Sequence, residues 1–159
     1  MTSDDFTRRD ALGLAAGAAV AVPTAGAMPA GGVAMERVTG IGGFFFRSKN
    51  PKALAKWYEE HLGIDQVPTS YDVNGWQQQA GTTVFGPFKW ETTYFGRPEQ
   101  MWMINFRVRS LDKMAAQLRG RGIAVEIDPE TYPNGRFASV KDPEGNPIQL
   151  WEPGGVDKS

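Results

Sequence analysis

Asp142-Pro143-Glu144-Gly145-Asn146-Pro147-Ile148-Gln149-Leu150-Trp151-Glu152-Pro153 reads as a turn that launches a strand. Pro143 pre-sets φ at the first central position of a turn, and Gly145-Asn146 tolerate left-handed backbone. Beyond the turn, Ile148 and Leu150 alternate with Gln149 and Trp151, the period-two pattern of a strand with two unlike faces.

Working outward, Arg136 to Lys141 and Ile123 to Ile127 read as the strands before this one. Ser110 caps a helix that turns Leu111, Met114, Ala115 and Leu118 inward and stops at Gly122, and Met101 to Arg109 is the strand before that helix. Lys89 to Gln100 is a looser connection broken by Gly96 and Pro98. Ahead of it the same series occurs once more. Val38 to Arg47 is a strand containing Gly42-Gly43. Asn50-Pro51 starts a helix with Leu54, Trp57, Tyr58 and Leu62 on one face, ended by Gly63. Ile64 to Thr69, Trp76 to Gln79 and Thr82 to Phe88 are three short strands, with Tyr71–Gly75 a polar turn.

Two strand-helix-strand-strand-strand units are therefore offset by about 60 residues. One unit alone would be an open sheet with a helix on one face and the other face bare. Paired, the units make a cupped mixed sheet of α+β class, with helices outside and a cleft inside. The expected organisation is modules at 38–89 and 101–153 in one domain, 38–153, and a short tail, 154–159.

The closing hairpin from Ser139 to Pro153, with its Asp-Pro-Glu-Gly-Asn-Pro turn and Ile148-Gln149-Leu150 step, resembles that of the vicinal-oxygen-chelate superfamily. This group includes glyoxalase I, bleomycin and fosfomycin resistance proteins and extradiol dioxygenases. The resemblance covers roughly residues 38–153 and implies the paired βαβββ architecture. In metal-dependent members, three of the ligand positions would fall on Gly43, Met103 and Gln149. Glycine has no ligand atom, a thioether suits soft metals, and a lone amide oxygen is weak. The expectation is no metal and no cofactor.

Strand parity selects the cleft residues. Ile104, Phe106, Val108, Ile148 and Leu150 should lie under the helices; Met103, Asn105, Arg107, Gln149 and Trp151 should face the cleft. Phe45 and Arg47 are the first-half equivalents. Aromatic walls with a few directed polar groups describe a small-molecule pocket. Arg47 and Arg107 could clamp a carboxylate or phosphate, or be strand-end partners of nearby glutamates. Trp76, Gln77, Gln78, Gln79 and Phe85 could extend the wall or fill core and surface. His61 is the only histidine. It reads as a helix C-terminal residue packed on its neighbours, and Glu152 as the partner of a cation. No histidine-carboxylate cluster supports a nucleophile-base triad.

Composition agrees with a globular chain of one domain: 159 residues, 41% hydrophobic, 22% charged and a formal charge of -1. There is no basic run for nucleic acid and no apolar stretch long enough for a retained membrane span. The absence of cysteine removes thiol catalysis, disulfides and thiolate metal sites. Residues 1–27 resemble a twin-arginine export signal, with Arg8-Arg9, an uncharged run from Ala11 to Val22 and small residues at Ala25-Gly26-Ala27; a cleavage near Ala27 leaves residues 28–37 as linker. The alternative is an uncleaved extension. Cleavage would remove Arg8, Arg9, Asp4, Asp5 and Asp10 and leave equal numbers of acidic and basic residues.

The leader, the ligand positions and the cleft residues together lead to the expectation of an exported, periplasmic or extracellular glyoxalase-like protein that binds a small anionic or aromatic molecule without a metal. The resemblance to bleomycin-resistance members implies that the architecture can serve as a metal-free binding module. A lyase or dioxygenase-like enzyme with an unconventional metal site is the alternative, and an interaction domain a third. A homodimer is compatible with any of them.

Overall fold

The computed structural model describes residues 36–157. The expected export signal, and the linker up to residue 35, lie outside the described residues. Helix α1 spans Pro51–Leu62. Strand β1, Ile104–Arg107, precedes helix α2, Leu111–Arg119. Strands β2, Val125–Ile127, β3, Gly135–Lys141, and β4, Pro147–Pro153, follow. A single 3₁₀ turn, Gly155–Asp157, ends the chain that is described.

The sheet has the order β1-β4-β3-β2. β1 runs parallel to β4, which requires a crossover, and α2 supplies it. β4–β3 and β3–β2 are antiparallel. The second half is therefore a complete βαβββ unit, and the whole is an α+β fold with a mixed sheet.

Both helices have their predicted caps. Asn50 Oδ1 accepts the Ala53 amide at 3.2 Å, Pro51 occupies the first turn, and Gly63 closes the helix with φ 69°. Ser110 Oγ accepts the Lys113 amide at 3.3 Å. α2 ends at Arg119, slightly earlier than expected. Gly120 stays right-handed, and the left-handed residue is Gly122 with φ 76°.

One core joins both helices to one face of the sheet. Leu54 and Tyr58 of α1 and Leu111, Ala115 and Leu118 of α2 meet Val125, Ala138, Val140, Ile148 and Leu150. Complete burial of side chains of this size contributes roughly 1.5–3 kcal/mol each. Phe137 and Trp151 are buried on the other face in a cluster of their own. The alternation of Ile148 and Leu150 against Gln149 and Trp151 is thus realised across the sheet.

The first half differs from its sequence reading. Segments 38–47, 64–69, 76–79 and 82–88 form no ladder among the described residues, and α1 is the only regular element there. Glycine and proline interrupt these segments at Gly40, Gly42, Gly43, Pro68, Gly86 and Pro87, and a strand exists only where a partner takes its backbone groups. Side chains anchor residues 44–46 instead. Phe44 and Phe46 lie 5.0 and 4.8 Å from Trp102, and Phe46 lies 6.5 Å from Tyr58. Strand ends shift as well: β1 is shorter than 101–109, β2 shorter than 123–127, and β4 runs two residues past Trp151.

The closing turn ties the two halves together. Gly145 is left-handed at φ 82°; Asn146 is not. Buried Asp142 accepts the Glu144 and Asn146 amides at 2.9 Å each, the Asn146 side chain at 2.8 Å and the Tyr58 hydroxyl at 3.1 Å. Burial, with Asp142 beside it, pushes the Tyr58 phenol well above its ordinary range. Glu144 reaches across to the start of α1, accepting Ser48 Oγ at 2.7 Å and the Asn50 and Lys49 amides at 2.9 and 3.0 Å. The Asn50 amide, then Ser48 and Lys49, hold its carboxyl below the usual value. The proline-glycine turn is thus a latch onto the first helix as well as a reversal of chain.

Candidate functional site

The sheet face opposite the helices carries the expected residues of β1 and β4 side by side. Asn105 is in register with Gln149, and Arg107 with Trp151. Met103 is half-buried just ahead of β1 on the same parity. An open cleft of about 2300 Å³ borders this face and the first half, lined by Phe45, Phe88, Tyr94, Met103, Asn105, Arg107 and Gln149 among others, and it extends to helix-side residues such as Leu54, Tyr58 and Met114. That is wider than the 300–1,000 Å³ typical of closed ligand pockets.

Gln149 is only 3% exposed, yet both ends of its amide are satisfied. Its Oε1 accepts Asn105 Nδ2 at 2.7 Å, and its Nε2 donates to the Tyr94 hydroxyl at 2.8 Å. A buried amide left unpaired would cost about 1–3 kcal/mol, so this chain has a structural reason to persist. The Asn105 bond uses one of the two lone pairs of that amide oxygen. Tyr94 stacks on Phe88, with ring centroids 5.1 Å apart. Tyr94 had no signal in the sequence because it sits in the aperiodic connection 89–100; only the tertiary fold brings it to Gln149.

Trp151 is covered more than it is presented, being 2% exposed. Its Nε1 donates to the Asn134 carbonyl at 2.8 Å, and its ring lies nearly parallel to Phe137, 6.2 Å away. Gly135 makes this approach possible: with φ 127°, it lies where a Cβ would overlap the Glu152 carbonyl and crowd the Trp151 indole.

Arg107 is half-buried, and its Nη2 donates to the Gln79 carbonyl at 2.7 Å. Phe45 lines the cleft but is 93% exposed. Arg47 is exposed and is not among the residues lining the cleft, so the two arginines are not brought to one point. Neither has a carboxylate partner among the described residues. Trp76 stacks edge-on against Phe106, on the helix side of the sheet, at 6.2 Å.

His61 lies at the end of α1, 5.2 Å from the Trp57 ring, with Arg121 Nη1 3.2 Å from its Nδ1. Glu152 accepts the Leu111 amide at 2.6 Å, capping α2, and stands 4.0 Å from Arg136. Arg136 in turn makes a two-bonded pair with Asp112, holding that carboxyl low. Among the described residues no three histidine, cysteine or acidic side chains come together as a metal site. No helix there is long and apolar enough to cross a membrane.

A mixed four-stranded sheet with a parallel β1–β4 pair and helices on one face defines a glyoxalase-type α+β fold. Residues 40–150 match the Glyoxalase/Bleomycin resistance protein/Dioxygenase superfamily, and the chain belongs to it. The structure of TnmS3, an antibiotic binding protein from Streptomyces sp. CB03234, is similar with a TM-score of 0.53 and 23% identity, over 75% of this chain and 99% of that one. A glyoxalase/bleomycin resistance protein from the same organism is 27% identical over 66% of this chain and 92% of its own, with a TM-score of 0.42. No curated protein matches the chain.

Proposed function

We propose that this is an exported glyoxalase-like protein that binds a small anionic or aromatic molecule in the cleft without the superfamily's usual metal. The carrying observation is Gln149. It stands where the family resemblance puts a metal-binding carboxylate but offers only a neutral amide, whose oxygen accepts Asn105 Nδ2 at 2.7 Å. Gly43 and Met103, at the other two positions, add no hard ligand. The wall is aromatic and its polar groups few, which suits binding. TnmS3, which shares the fold, is described as an antibiotic binding protein.

In this reading the first-half segments complete the cleft by pairing into a second βαβββ unit. Arg8-Arg9 and the small residues before Ala27 would direct export, so Arg8→Lys with Arg9→Lys should leave the protein uncleaved in the cytoplasm, as fractionation would show.

Elemental analysis of untagged protein tests the metal-free reading. Less than a tenth of an equivalent of zinc, nickel, iron or manganese is expected (roughly the background of a site lacking hard ligands). One equivalent would favour the lyase or dioxygenase-like alternative instead.

A further inference from the structure

We propose that Gly81 is a positioning residue for Arg107, leaving open the space in which that guanidinium is set to receive an oxyanion in the cleft. The inference rests on the small-molecule reading above and specifies the ligand's charged end as a carboxylate or similar oxyanion.

Arg107 projects from β1 on the face opposite the helices. Nη2 is tied to the Gln79 carbonyl at 2.7 Å. A guanidinium has five N–H donors, so this single bond orients the fork while leaving most donors available. Two residues beyond Gln79, a Cβ at Gly81 would overlap Arg107 Nη1 and stand 2.9 Å from Cζ. Any side chain there meets the far end of a flexible arginine, so the guanidinium moves before the sheet does. Asn105 lies two residues along the same face and is exposed, with its Nδ2 donating to Gln149. A planar fork held by one bond matches a carboxylate in two-bonded geometry and loses little freedom on binding. No carboxylate of the described residues competes for it.

The test uses full-length protein and two pairs of probes, benzoate with benzamide and 1-naphthoate with 1-naphthamide, titrated by calorimetry. Wild type should prefer each carboxylate to its amide at least tenfold (about 1.4 kcal/mol). Arg107→Ala should abolish that preference, and Gly81→Ala should remove most of it. In the Arg107→Ala background, Gly81→Ala should change nothing further, since there is no guanidinium left to displace. Gly81 has φ 151°, so alanine there also strains the loop. Arg107→Lys provides a second arm: it keeps the charge but lacks the fork, and the preference should fall several-fold. Full preference retained in Gly81→Ala or in Arg107→Lys, or independent losses in the double variant, overturns the proposal. Equal binding of carboxylates and amides by wild type also overturns it, while leaving the cleft-binding reading standing. Failure of every probe to bind at millimolar concentration counts against both.

Discussion

The two halves of this chain carry the same series of signals and reach different ends. Residues 101–153 form a hydrogen-bonded βαβββ unit; residues 38–89 form a capped helix and extended segments without a ladder. Both helices formed where their caps and apolar faces lie, because a helix bonds within itself. Strands depend on neighbours. β4 has them on both sides, with β1 on one edge and β3 on the other. The first-half segments are held by aromatic contacts to Trp102 and Tyr58 and by the Glu144 latch. Local signals therefore suffice for helices, and long-range pairing decides strands.

The sharpest way to break this contrast is to remove core from the ordered half. Leu150 is fully buried in the core that the helices and the sheet share. Leu150→Ala should cost about 2–5 kcal/mol in urea-melting experiments, through lost transfer energy and the cavity left behind. A smaller loss would mean that the core is looser than its packing indicates.

Next comes the joint between halves. Asp142→Ala leaves the Tyr58 hydroxyl and the Asn146 side chain without their acceptor in a buried place. About 1–3 kcal/mol should be lost. Tyr58→Phe made together with it should recover part, because one orphaned group disappears; full additivity of the two changes would show that the bond contributes nothing.

The pH dependence is smaller and has a definite sign. The folded Glu144 carboxyl is held below its ordinary 4.5 by hydrogen bonds to its charged form. Its contribution is therefore complete above that value and declines as pH falls through the lower folded value. Glu144→Gln should flatten the acid limb of stability in that window and leave it unchanged at neutral slope. An identical acid limb in the variant would place the acid sensitivity elsewhere.

The smallest expected effect is at Phe45, where the side chain is almost wholly exposed. Phe45→Ala should change stability by less than about 0.5 kcal/mol. A loss of several times that would show the first half packed against something in solution, and would erase the contrast between the halves.

Much of this molecule follows from local sequence. Asn50, Ser110 and Gly63 act at the helix ends where they were read, because a cap reaches only two or three residues along the chain. Ile148 and Leu150 face the helices and Gln149 and Trp151 face away, because side-chain direction in a strand alternates whatever the partner. The tertiary structure alone decided the rest. It brought Tyr94 to Gln149, turned Glu144 onto the start of α1 across more than ninety residues, and buried Trp151 against Phe137. It left Arg47 outside the cleft that Arg107 enters. Periodicity names the face on which a residue lies, but who meets whom across that face depends on how distant segments pack, and that information is not carried by spacing.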